Sequence, residues 1–196
     1  MASEVAARQI SMHHGLTASF EEVQFIGARF FDFAHDRFSK VYYDQKLESR
    51  VERLSFDPDR DFYRDNNGNV FIRFTYPAAF PAIINHQFKN ESTGRPEWIR
   101  RPPDTINGFM AGVGRSGRLY RFADTFVRSQ EAAAISIASR ISTTIETEET
   151  VILNFQSTLQ FRRLSTASMT HFLVLETWID PQTRAVYTLA IAQPAN

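Results

Sequence analysis

The sharpest chemical pattern in the chain is Gly112-Val113-Gly114-Arg115-Ser116-Gly117. G-x-G-x-x-G is the spacing of a turn whose backbone amides cradle a dinucleotide pyrophosphate. It works when a strand precedes it, a helix follows, and a second parallel strand ends in an acidic ribose ligand about 20 residues on. Here that distance still falls inside a helical pattern, and roughly 50 residues remain afterwards, too few for a doubly wound sheet. The motif is therefore read as a tight strand-to-helix turn in which glycine relieves the restriction on φ. Arg115, Arg118 and Arg121, beside the start of the helix, are candidates to hold an anion, because a helix N-terminus presents free amides and the positive end of its dipole.

Asp57, Asp59 and Asp61 precede Asp65-Asn66-Asn67-Gly68, an oxygen-rich run that invites comparison with a calcium loop. Counting from Asp57, the sixth position, where such a loop needs glycine, is Phe62, so the run reads as an acidic turn with Arg60 and Arg64 as counter-ions. His13, His14, His35, His86 and His171 form neither H-E-x-x-H nor H-x-H, and Ser116 is not in G-x-S-x-G. His35 and Asp36 are neighbours that point to different helix faces. No catalytic residue, metal site or cofactor is expected.

The 196 residues carry 22 basic and 22 acidic side chains, so no net field draws the chain to nucleic acid or to an anionic bilayer. There is no cysteine, which removes disulfides and thiolate chemistry, and no apolar run long enough for a transmembrane span. The first 30 residues lack the pattern of a secretory signal. Phe25 and Tyr43 stand off the expected apolar stripe and Trp98 lies in a proline-rich linker; the three are read as partner-binding aromatics, the alternative being that a second layer of the same chain covers them.

The elements that would position these residues follow from periodicity. Residues 1–18 read as a flexible arm, broken at His13-His14-Gly15. A helix is expected from Ser19 to about Tyr43: Ser19 and Glu22 form a capping box, and Val23, Gly27, Phe30, Phe31, Ala34, Phe38, Val41 and Tyr42 share a stripe. A bend or short helix is expected before Asp57-Pro58, then a hairpin over 61–77 turning at Asn66-Asn67-Gly68. Residues 89–105 read as a linker pinned by Trp98 and Ile99. A strand through Gly108–Gly114, a long helix over Arg118–Ile141 and a strand over Ser142–Leu153 follow. A hairpin turning at Asp180-Pro181-Gln182-Thr183 closes the chain. The fold class is α+β: a long helix on a small antiparallel sheet, β-α-β-β-β-like, after a helical and β-hairpin N-terminal region. The expected divisions are 1–18, 19–94 and 95–196.

Within residues 95–193, the ordered series Pro96-Glu97-Trp98-Ile99, Pro102-Pro103, Ala111-Gly112-Val113-Gly114, Ala123 to Ile141, Trp178-Ile179-Asp180 and Val186-Tyr187-Thr188-Leu189-Ala190 resembles the LPP-twenty family. That family comprises the twenty-kilodalton outer-membrane lipoprotein and the FlgP-type proteins of flagellar basal discs. The resemblance implies a helix across an antiparallel sheet and a non-enzymatic bacterial envelope protein, periplasmic or outer-membrane-associated, that assembles with copies of itself or with envelope or flagellar partners. A lipid anchor would require a processed segment upstream of Met1. A small-ligand pocket between the aromatic helix and the sheet is the alternative.

Overall fold

A computed structural model describes residues 2–27, 33–44, 47–65, 68, 70–77, 94–142, 144–152 and 156–195. Helix α1 (Ala2–His14) is followed by strands β1 (Leu16–Gly27) and β2 (Phe33–Tyr43), helix α2 (Leu47–Val51) and the short strands β3 (Phe62–Arg64) and β4 (Val70–Ile72). A single 3-10 turn at Glu97–Ile99 leads to β5 (Thr105–Ile106), β6 (Phe109–Ser116), α3 (Phe122–Ile141), β7 (Thr144–Ile152), β8 (Gln156–Ile179) and β9 (Val186–Pro194).

The fold is α+β, with the long α3 packed on an antiparallel sheet ordered β2-β1-β8-β9-β6-β5, and with β7 also pairing β8. β8 runs for 24 residues. Met169 pairs with Leu16 of β1 on one side and with Pro194 of β9 on the other, so the sheet continues through β8 without a break. Leu16 and Ala18 share one apolar cluster with Ala133, Ile137, Phe172 and Ala190, which joins the N- and C-terminal halves in a single core.

Two expectations for the N-terminus are corrected. Residues 2–14 form a helix, with Ala7, Ile10 and Met12 buried, rather than a flexible arm. Ala, Glu, Arg and Gln favour that helix. Within the expected helix over 19–43, residues 19–27 and 33–43 form two antiparallel strands instead. Leu16, Ala18 and Phe20 are buried while Thr17 and Ser19 between them are not, the period of two that a half-buried strand imposes. Ser19 and Glu22 oppose Lys40 and Arg37 in the ladder, so the apparent capping box lies within a strand.

The remaining elements follow the expected order. The 61–77 hairpin forms, with Gly68 at φ 79° and its N–H bonded to the Asp65 carbonyl. The final turn is held by Asp180, whose carboxylate accepts the Gln182 N–H at 2.8 Å and the Thr183 N–H at 3.2 Å. These bonds hold the Asp180 carboxyl below the usual range, the Thr183 hydroxyl contributing most.

The alanines and glycines set the distance between layers. A Cβ on Gly114 would lie 2.0 Å from the Ser129 carbonyl oxygen, and one on Gly112 2.6 Å from Ile137 Cγ1. Both glycines lie where β6 runs under α3. Ala133, Ala134 and Ala138 are fully buried along α3, so sheet and helix approach closely and leave little unfilled volume. Behind the sheet, Trp98, Ile106, Ala111, Leu189 and Ile191 form a second cluster. Arg140 ties the linker to the end of α3 by donating to the Pro103 carbonyl at 2.8 Å and pairing with Asp104 at 2.9 Å.

Candidate functional site

Three features remain once the core is accounted for. The first is a four-stranded ribbon, β2-β1-β8-β7, built on the N-terminal half of β8. In one row of it Phe38, Glu21, Leu164 and Thr144 stand side by side, and five residues along the row is Phe33, Ile26, Leu159 and Glu149. Among the described residues β2 pairs only with β1 and β7 only with β8, so both margins of the ribbon present unpaired backbone donors and acceptors.

The second is a cleft between α1, the β3–β4 hairpin and α3. One lobe of about 510 Å³ is walled by Val5, Phe71, Phe122 and Phe126, and a second of about 400 Å³ by Ile10, His13, Tyr76 and Phe172. Ala6, Gln9, Ile72 and Phe74 line both, so the two lobes are adjacent. Phe71 docks the hairpin edge-on against Phe122 and Phe126, with ring centroids 6.5 and 6.1 Å apart. Among the described residues the alternative pocket expected against a helix over 19–43 is not formed, because residues 19–27 and 33–43 are strands of the sheet.

The third is a histidine cluster around His13, which lines the second lobe of that cleft. The His13 ring lies 5.9 Å from that of His14 and 5.4 Å from that of His171. His171 takes a positive φ of 54° at an irregularity in the β8–β9 ladder between Thr170 and Leu173. Burial lowers the His13 pKa, and the neighbouring His171 and His14 lower it further. No local spacing reveals this grouping, since the fold brings His171 to α1 across most of the chain. Among the described residues no group of three His, Asp or Glu side chains is arranged to hold a metal ion.

The residues singled out from sequence do not converge. Trp98 is corrected from a partner-binding aromatic to a core residue: it is buried, and its indole N–H donates to Glu176 Oε2 at 2.8 Å. Tyr43 is half-buried against the main core and accepts a 3.4 Å bond from Arg8, while its neighbour Tyr42 is exposed. Phe25 stands in β1 opposite Ala34 and Gln160, and its side chain lies outside the described residues. Arg115 lies 5.7 Å from the centroid of the Tyr187 ring, in the second cluster, whereas Arg121 lines the cleft beside Phe122 and Arg118 is exposed between them. The three arginines thus form no single anion site.

The acidic run is a turn. Asp57 accepts the Asp59 N–H at 3.0 Å, and Asp61 accepts the Asp57 N–H at 2.8 Å and the Arg73 Nε–H at 2.7 Å. The Asp57 backbone bond, followed by Arg73, holds the Asp61 carboxyl below its ordinary value. Gly112 and Gly114 serve the helix contact, and a Cβ on Gly117 would meet open space.

No family model, curated protein or solved structure matches this chain. No helix among the described residues is long and apolar enough to cross a membrane.

Proposed function

We propose that the chain is a non-enzymatic assembly protein of the bacterial cell envelope, flagellum-associated as the LPP-twenty resemblance implies, periplasmic or held at the outer membrane, and acting by self-association or by pairing with envelope or flagellar partners. The observation that carries the reading is the ribbon β2-β1-β8-β7, whose marginal strands β2 and β7 pair with no further strand among the described residues. Edge backbone groups are a template for a further strand, and margins at opposite sides of one ribbon allow each copy to join two others. The residues that suggested chemistry serve structure instead: glycines under a helix, aspartates within a turn. Sedimentation velocity across a hundredfold range of concentration tests the reading. Species larger than the monomer that grow with concentration are expected; a strict monomer that captures no envelope or flagellar protein overturns it.

A further inference from the structure

The cleft between α1, the β3–β4 hairpin and α3 has a chemical character of its own, independent of the ribbon. Its larger lobe, about 510 Å³, is within the range of small-molecule sites and is lined chiefly by apolar and aromatic side chains. Among the described residues Arg121 is the only charged one lining that lobe, and Gln9 the only other one with a polar side chain. In the second lobe the ionisable side chains among the described residues are His13, Arg73 and Tyr76, and Arg73 is already paired with Asp61. Among the described residues no carboxylate lines either lobe.

The shape is elongated. The larger lobe follows α1 from Ala2 to Gln9, about 10 Å of helix axis at roughly 1.5 Å per residue, and the second lobe lies beside it from Ala6 to His13. At the outer end Arg121 immediately precedes α3, and its guanidinium has no ion pair or hydrogen bond among the described residues. Arg184 stands 5.4 Å from the centroid of the Phe122 ring and adds a second positive charge there. At the inner end burial favours the neutral form of His13.

We infer that this cleft binds an aliphatic carboxylate, its chain lying along α1 between the phenylalanines of the hairpin and those of α3, its carboxylate meeting Arg121 at the mouth. An apolar trough without acidic groups admits an alkyl chain, and a single unpaired guanidinium at one end orients an anionic head. A cationic amphiphile finds no counter-ion.

The test is displacement of cis-parinaric acid from the full chain by dodecanoate below its critical micelle concentration, with dodecyltrimethylammonium as the control of opposite charge. Saturable displacement by dodecanoate, at least tenfold weaker displacement by the ammonium compound, and about tenfold weakening of dodecanoate in Arg121→Gln are expected. Because Arg121 is exposed, that variant reports on binding and not on folding. Ala6→Trp, in the wall of both lobes, is expected to abolish binding while the melting transition is retained. No saturable binding, equal binding of the two amphiphiles, or dodecanoate affinity unchanged in Arg121→Gln overturns the inference. None of these outcomes bears on whether the ribbon self-associates.

Discussion

Gly114 passes so close beneath Ser129 that the strand and the helix touch backbone to backbone: a methyl group there would overlap the Ser129 carbonyl at 2.0 Å and the Ala133 amide nitrogen at 2.2 Å. Both obstacles are main-chain atoms of one helix, so neither yields without moving α3. Gly114→Ala is expected to destabilise the fold by about 3 kcal/mol or more, at the upper end of overpacking costs. Gly117→Ala, with open space around it, is expected to change stability by no more than about 0.5 kcal/mol. Chemical denaturation of the two variants checks the contrast.

Trp98 fixes the linker to the back of the sheet by its ring and by its N–H. Trp98→Phe keeps most of the apolar contact but leaves Glu176 without its donor, and a loss of about 1.5–3 kcal/mol is expected for a bond to a charged group. Trp98→Ala also opens a cavity, and about 3–5 kcal/mol is expected. Urea midpoints at constant slope separate the two effects.

The depressed pKa of His13 links stability to pH. In the unfolded chain the group titrates near 6.5, and in the folded chain lower. As pH falls through 6.5 the unfolded state takes up a proton that the folded state refuses, so stability is full above this window and declines below it. His14 and His171 face the same ring and add to the effect if charged. Melting temperature is expected to fall between pH 7 and pH 5, and His13→Asn to flatten that slope. A slope unchanged in the variant would show that other groups set it.

The open margins of the ribbon give a prediction for assembly. In an antiparallel edge strand successive N–H groups alternate between the paired and the open side, so of the two variants Thr147→Pro and Glu148→Pro in β7 one removes a donor from the open side. That variant is expected to lower the apparent mass in light scattering with no loss of the α3 core. Equivalent substitutions at Lys40 and Val41 of β2 are expected to act alike.

Much of the C-terminal architecture is legible in the residues alone. The alanine-rich periodicity of 122–141 and the Asp180 turn are local signals, and local signals survive folding. The β1–β2 pair is not legible in that way. Phe30, Phe31, Ala34, Phe38 and Val41 recur at helical steps, but β1 is fixed by β8, whose matching residues lie near the other end of the chain: Leu16 opposite Met169, Phe20 opposite Ser165. A window of sequence cannot contain both strands, and pairing overrides local propensity. The cleft is hidden for the same reason, since its walls come from α1, a hairpin and α3, and the local pattern of residues 1–18 is that of an arm. Trp98 illustrates a different gap: an aromatic among prolines signals an anchor, but nothing nearby tells whether the anchor is buried within the chain or offered to another.

The unbroken course of β8 has a mechanical consequence. At roughly 3.3 Å per residue its 24 residues extend about 80 Å less the shortening at its irregularities, and the same covalent thread that spans the ribbon also passes beneath α1 and alongside β9. The ribbon and the helical body therefore share a beam instead of a hinge. A pull delivered at one end arrives at the other as a load on hydrogen bonds in shear, and pieces joined in that manner yield together or not at all.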